Sequence, residues 1–310
     1  MKTIMVTGCA GFIGGHVTER LLSDGYDILG VDCLTYAGNM DLMDRLQNSH
    51  KSHFTFDQKR IGELSSSELE HVDLVVNLAA ETHVDNSIKS SDPFVQTNIV
   101  ETHHLLEKCR ESNTPILHFS TDEVYGVVLD GSFCETDPLK PKNPYSATKA
   151  AIDHLITSYQ NTYGLQSTII RPSNNFGPRQ NDEKFIPTIT RSIRNQNKIP
   201  VYGEGQQVRE WTYVKHTAAA VSFLCNKLLQ GECFGEIFNF GTSIEMKNVD
   251  LVKKLCKIIG VSFEDSVEFV TDRPGHDFRY SVNCKKISNL GFLVEPNINK
   301  ELEETLEELK

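Results

Sequence analysis

Short apolar runs alternate, through the first half of the chain, with longer stretches whose apolar positions recur at helical spacing. The runs are Thr3–Thr7, Ile28–Asp32, Phe54–Asp57, Leu74–Ala79, Ile116–Thr121 and Ser167–Arg171. Several are apolar at consecutive positions, which predicts parallel strands covered on both faces rather than half-solvated strands that alternate. Strand and helix in alternation predict βαβ units and an α/β fold, a Rossmann-type doubly wound parallel sheet. Beyond Arg171 the pattern loosens into Pro-, Gly- and Asn-rich turns with shorter helices. The expected division is therefore a first domain over 1–172 and a smaller C-terminal lobe over 173–310, with about 211–240 packing back on the first domain. The acidic end from Glu301 to Glu308 keeps leucines at 302, 306 and 309. That spacing predicts a surface helix with one apolar stripe.

Directly after the first strand stands Gly8-Cys9-Ala10-Gly11-Phe12-Ile13-Gly14, opening a helix through His16, Val17 and Leu21. Glycines at this spacing tighten a turn and let a pyrophosphate approach backbone N–H groups at a helix N-terminus, where the dipole favours negative charge. Asp32 closes the second strand at the distance downstream that a dinucleotide fingerprint requires. Its carboxylate can accept both adenosine ribose hydroxyls and repels a 2′-phosphate, so the expected cofactor is NAD.

Tyr145 and Lys149 follow Asn143-Pro144 at the start of a predicted helix, four residues apart and so on one face. An ordinary tyrosine is too weak an acid to serve as a base at neutral pH, but a neighbouring ammonium and a positive nicotinamide ring both favour phenolate. At the end of the fifth strand lies Ser120-Thr121-Asp122-Glu123-Val124-Tyr125-Gly126, where open α/β sheets bind ligands. Mutual repulsion drives the pKa values of two adjacent carboxyls apart, so one can act as acid and the other as base. Each pattern alone has an ordinary structural reading. A glycine turn can serve packing, a Tyr-x-x-x-Lys pair can decorate a solvated helix face, and paired carboxylates can cap a segment.

Together these motifs resemble the extended short-chain dehydrogenase/reductases, and within them the dTDP-glucose 4,6-dehydratases. The likeness continues through Leu78-Ala79-Ala80, Glu81-Thr82-His83-Val84-Asp85, Leu34-Thr35-Tyr36-Ala37-Gly38-Asn39, Ser173-Asn174-Asn175-Phe176-Gly177-Pro178, Glu183-Lys184-Phe185-Ile186-Pro187 and Asp272-Arg273-Pro274-Gly275-His276-Asp277. The resemblance implies that Tyr145 takes the O4 proton of a nucleotide hexose as hydride passes from C4 to NAD. Glu123 then removes the C5 proton, Asp122 protonates the departing C6 hydroxyl, and the hydride returns to C6. It gives Thr121 a hydrogen bond to O4, and Lys149 a second role at the nicotinamide ribose. Beyond Gly8, Gly11, Gly14 and Asp32, it implies NAD contacts at Phe12, Ile13, Cys33, Leu34, Thr35, Asp57, Gln58, Leu78, Ala79, Ala80, Thr82, Thr97 and Asn175. Contacts to the nucleotide sugar fall, by the same likeness, on Thr82, Asn174, Lys184, Phe185, Pro200, Tyr202, Arg209, Asn248, Arg273 and His276. A homodimer through Thr97–Cys109 and Tyr145–Tyr163 is also implied. Cys9, Gly15, Gln58 and His216 depart from the family pattern.

Composition narrows the partners. With 39% hydrophobic residues spread over 310 positions, disorder is excluded and one large or two modest cores can form. A net charge of −11 without a basic run repels a polyphosphate backbone, so nucleic acid is not an expected partner. No apolar run approaches the ~20 residues of a membrane span. The eight cysteines include no Cys-x-x-Cys pair and no His stands at zinc-ligand spacing, so no metal is expected and the thiols read as reduced in a cytoplasmic enzyme. A nucleotide-sugar 4-epimerase has no need of an acid for a C6 hydroxyl, and a non-catalytic NAD-sensing protein has no need of Tyr145 and Lys149. Whether the nucleotide is UDP or dTDP, whether the hexose is glucose or N-acetylglucosamine, and whether C5 is also epimerised stay open at this level.

Overall fold

The computed structural model describes residues 1–271 and 278–308. Its largest sheet runs β1 (Thr3–Thr7), β2 (Asp27–Asp32), β3 (Phe54–Gln58), β4 (Leu74–Asn77), β5 (Ile116–Phe119) and β6 (Ser167–Pro172) in chain order. The chain continues through β7 (Asn174–Phe176), β8 (Ile199–Tyr202), β9 (Val208–Tyr213), β10 (Ile237–Phe240), β11 (Glu245–Lys247) and β12 (Val267–Val270). The sheet order is β10-β6-β5-β4-β1-β2-β3, with every pairing parallel. This is the doubly wound arrangement, and its order reverses between β1 and β4, where a crevice opens at the strand C-termini.

The consecutive apolar runs are explained by cover on both faces. Ile4 and Val6 point to a layer with helices Phe12–Ser23 and Val214–Leu229; Met5 and Val75 point to the opposite layer with Thr102–Ser112 and Pro144–Tyr163. Two predicted strands stop short of their apolar runs. Leu78–Ala79 and Ser120–Thr121 lie beyond the last paired residues, because the chain leaves the ladder there to line the crevice. β10 escaped the sequence reading, since Ile237-Phe238-Asn239-Phe240 is a short run far from the βαβ units; it pairs with β6 at the sheet edge.

A second core gathers Phe176, Ile189, Ile199, Trp211, Leu251 and Leu255 with Leu302 and Leu306 of the helix Ile298–Glu308. Each fully buried Leu or Ile there contributes about 1.5–3 kcal/mol. Leu309 lies outside the described residues. Two small sheets, β11-β9-β7 and β12-β8, frame this core and set the far wall of the cleft.

Candidate active site

The turn after β1 is built for close approach. Gly8 has φ +69, and a Cβ on it would lie 2.7 Å from Ala79 N; one on Gly14 would lie 1.9 Å from Gly8 O. Only glycine fits at both points. The Asp32 carboxylate accepts from Ala10 N (3.0 Å) and Leu34 N (2.8 Å), so it braces the turn while a lone pair on each oxygen remains available. Burial raises the Asp32 pKa, opposed by these backbone N–H donors.

Tyr145 and Lys149 sit in the first turns of Pro144–Tyr163, capped by Asn143, whose side chain accepts from Ser146 N at 2.9 Å. Both side chains are buried. Lys149 Nζ donates to Phe119 O at 2.7 Å and lies 3.4 Å from His118 Nε2, and burial lowers its pKa to about 8. The expectation that this ammonium draws Tyr145 toward phenolate needs correction. The ammonium is turned to the Phe119 carbonyl, and burial, then Glu123, push Tyr145 above the ordinary phenol range, with Asp122 and Asp153 adding to the rise; a hydrogen bond with Thr121 opposes it.

Thr121, Asp122 and Glu123 turn out of the sheet in one 3₁₀ turn, Asp122–Tyr125. Asp122 is 3% exposed. Its Oδ1 accepts from the Thr121 hydroxyl at 3.2 Å, while Oδ2 has no partner among the described residues. Burial first, then the charges of Glu123 and Glu210, hold the Asp122 carboxyl well above its usual pKa. Glu123 is half-buried and accepts from Asn143 Nδ2 at 3.4 Å. Asp122 is thus the buried member of the pair, with its carboxyl held up, and Glu123 beside it is half-buried. Beneath them a buried ion pair joins Arg171 Nε to Asp153 Oδ2 at 2.8 Å, and Arg171 Nη1 donates to Tyr125 OH at 2.7 Å.

The glycine turn, Asp32, Thr121, Asp122, Glu123, Tyr145 and Lys149 line one cleft of about 870 Å³ that runs from the glycine turn to Arg209 and Asn248. It is walled by Gly8, Gly11, Phe12, Ile13, Gly14, Asp32, Cys33, Thr35, Leu78, Ala79, Ala80, Thr82, Thr97 and Asn175, the residues expected to contact the cofactor. The catalytic candidates stand midway, and Asn174, Lys184, Phe185, Pro200, Tyr202, Arg209 and Asn248 stand at the lobe end. Leu34, Asp57 and Gln58 do not line it. Leu34 packs against the sheet core, Asp57 is paired to Lys59 at 2.8 Å, and Gln58 is exposed. Arg273 and His276 lie outside the described residues. Buried polar atoms without a partner among the described residues face this cleft at Asn174 Oδ1, Asn175 Oδ1, Gln180 Oε1, Asn248 Oδ1 and Trp211 Nε1. Such atoms are costly unless a ligand satisfies them, and a dinucleotide with a nucleotide sugar fits their spread. No group of His, Cys, Asp and Glu among the described residues is arranged to hold a metal.

The family model described as GDP-mannose 4,6 dehydratase matches residues 5–305. The chain belongs to that family. Low-salt glycan biosynthesis protein Agl12 of Haloferax volcanii is 43% identical, over 93% of this chain and 92% of its own. The dTDP-glucose 4,6-dehydratase of Neisseria gonorrhoeae is 40% identical, over 94% of this chain and 91% of its own. The crystal structure of DesIV, the dTDP-glucose 4,6-dehydratase of Streptomyces venezuelae with NAD bound, superposes with a TM-score of 0.92 at 36% identity, covering 98% of this chain and 96% of that one.

In this GDP-mannose 4,6 dehydratase family member, the departures noted in the sequence find local answers. Cys9 is buried, with Sγ 3.6 Å from Met43 Sδ, and a Cβ on Gly30 would meet it at 2.8 Å. His216 Nε2 lies 2.8 Å from Glu301 Oε1, tying helix Val214–Leu229 to Ile298–Glu308. Sequence reasoning missed Arg60, Ile61, Glu81, Gln180, Trp211 and Tyr280 in the cleft wall. Arg209 Cζ stands 4.7 Å from the Tyr280 ring centroid, and Trp211 stacks on Phe185 with centroids 6.1 Å apart. The Arg209-Glu210-Trp211 run could have signalled the last, since alternate residues of a short strand face the same way.

Proposed function

We propose that the chain is an NAD-dependent nucleotide-diphosphate-hexose 4,6-dehydratase, a hydro-lyase producing a 4-keto-6-deoxy sugar. The observation that carries this reading is the Asp122–Glu123 pair beside Tyr145: a buried carboxyl whose pKa is held up and a half-buried carboxyl, facing one cleft with a phenol. A reaction that only inverts C4 needs the phenol and the cofactor; an acid for a leaving hydroxyl is the extra part. The activity named for the Neisseria and Streptomyces relatives, and the NAD in the latter, support the same conclusion.

When bound, NAD supplies a hydride acceptor for C4, a hydride donor for C6, and a positive ring that favours phenolate at Tyr145. The chain's own groups handle the protons. Tyr145 takes the O4 proton while Thr121 holds that oxygen. With C4 a carbonyl, the C5 hydrogen becomes acidic, Glu123 removes it, and Asp122 protonates the C6 hydroxyl, which leaves as water. Glu123 returns a proton to C5, and the proton kept by Tyr145 balances the one Asp122 gave. Lys149 positions the nicotinamide ribose, and Arg209 takes the diphosphate, its planar fork matching two oxygens. Residues 1–172 form the cofactor domain and 173–310 the nucleotide-sugar lobe, with 211–240 returning to the first.

The enzyme acts as a cytoplasmic homodimer through the faces of Thr97–Cys109 and Tyr145–Tyr163, where the rings of His103, Tyr159 and Tyr163 adjoin and Tyr163 is 57% exposed. Its cysteines are free thiols, and no helix among the described residues is long and apolar enough to cross a membrane. Incubation with UDP-glucose, dTDP-glucose and UDP-N-acetylglucosamine in heavy water tests the reading. Loss of one water with deuterium entering C5 of one substrate, followed by mass spectrometry and NMR, is the expected result. Intact sugar in all three overturns it.

A further inference from the structure

The adenosine end of the cleft holds charged side chains that the glycine turn and Asp32 do not account for. β3 ends beside Asp32, whose carbonyl accepts from Lys59 N at 3.1 Å, and the chain then carries Lys59 and Arg60 into the cleft wall. Both cations are engaged. Lys59 Nζ lies 2.8 Å from Asp57 Oδ2 and 2.6 Å from Glu68 Oε1. Arg60 Nε donates to Glu101 Oε1 at 2.7 Å, and its Nη2 donates to Thr97 Oγ1 at 3.1 Å. Glu101 comes from the π-helical stretch Val95–Glu101 and is 5% exposed. Its stem lies over Gly62, where a Cβ would come within 2.9 Å of Glu101 Cγ. The carboxylate is thus fitted into the wall and aimed at one guanidinium.

A free arginine near the ribose is the group that admits a 2′-phosphate, and a phosphate brings about two negative charges that Asp32 repels. Arg60 is in reach of that end yet held at two points of its fork. Turning it to a phosphate would break a charge-assisted bond and leave Glu101 buried and unpaired, which is strongly unfavourable.

We propose that Glu101 is a cofactor-specificity determinant: by anchoring Arg60 together with Thr97, it keeps the cleft selective for NAD against NADP. This rests on the NAD reading above and adds to it a residue outside the glycine turn and Asp32. Calorimetric titration of NAD and NADP into cofactor-stripped protein tests it, with wild type compared to Glu101→Gln, Arg60→Met and the double variant. Gln keeps the volume over Gly62 and removes the charge. The expected result is that Glu101→Gln narrows the ratio of the NADP to the NAD dissociation constant about tenfold. The narrowing disappears when Arg60 is also Met. Thr97→Val, which removes the second anchor only, narrows the ratio in the same direction by less, and stands in if Glu101→Gln does not fold. An unchanged ratio in these variants, or a narrowing that survives Arg60→Met, overturns the proposal while leaving NAD binding intact. Wild-type protein that binds neither dinucleotide overturns both the proposal and the reading beneath it.

Discussion

Asp122→Asn keeps the shape of the side chain and the acceptor for the Thr121 hydroxyl, 3.2 Å away in the wild type, but removes the acidic proton. Two consequences of opposite sign follow. A positioned general acid contributes roughly 10²–10⁴ in rate, so kcat should fall by that factor, or about 3–5 kcal/mol in the barrier. Stability should move the other way. The unfolded carboxyl ionises near 3.8, whereas in the folded chain burial and Glu123 hold the proton to much higher pH. Across that window the native state binds more protons than the unfolded one, so wild-type stability falls as pH rises, by about 1.4 kcal/mol for each tenfold weakening of the acid. The amide suffers no such loss. Urea unfolding at several pH values between about 4 and 8, beside a water-elimination assay, reads both effects. The variant should be the more stable protein at neutral pH, with its advantage shrinking toward pH 4. A stability difference that is flat with pH, or turnover within a few-fold of wild type, would refute the assignment of the proton to Asp122.

Three further outcomes follow from the geometry. Gly14→Ala should abolish retention of a dinucleotide, because its Cβ would stand 1.9 Å from Gly8 O and force the turn out of shape; absorbance of the purified protein and calorimetry check this. Asp153→Ala strands Arg171 in an interior where it is 3% exposed, and should lower stability by about 3–5 kcal/mol, read as a drop in thermal midpoint. His16 is kept neutral, its pKa lowered to about 4 by burial and then Arg179, so the unfolded state binds more protons between about 6.5 and 4 and stability is lost as pH falls through that range. Since Arg179 Nη2 can only donate, His16 Nδ1 accepts at 3.1 Å and Nε2 donates to Pro178 O at 2.9 Å; urea midpoints at pH 7 and 5 for His16→Gln should differ less than those of wild type.

The six strands before Arg171 were legible because burial on both faces leaves a mark in each of them separately: Leu74, Val75 and Val76 are all fully buried, and no single-faced sheet would use such a run. The glycine turn and Asp32 were legible for a related reason, since their function is local in sequence and depends on backbone shape. β10 and the small sheets of the lobe left no such trace. Their strands are three to six residues long, and their partners stand tens of residues away, as Glu245 of β11 does from Glu210 of β9.

The cleft shows the same boundary between local and long-range information. Tyr145 and Lys149 share a face because helical spacing requires it, yet what each titrates to is decided by burial first, with Glu123 adding to the rise at Tyr145 and Asp153 opposing the fall at Lys149. Periodicity could place the pair but not its electrostatics. Asp57 and Gln58 show the same limit. The resemblance implies cofactor contacts there, whereas neither lines the cleft and Asp57 is paired with Lys59; Arg60, two residues beyond Gln58, stands in the wall bonded to Glu101, 41 positions later. A resemblance in sequence carries no account of neighbouring charges, and in this chain a Lys-Arg pair follows β3 directly. The cofactor end should therefore respond to Glu101 and Arg60 more than to Gln58, a ranking that binding measurements on Gln58→Ala beside Arg60→Met can reverse.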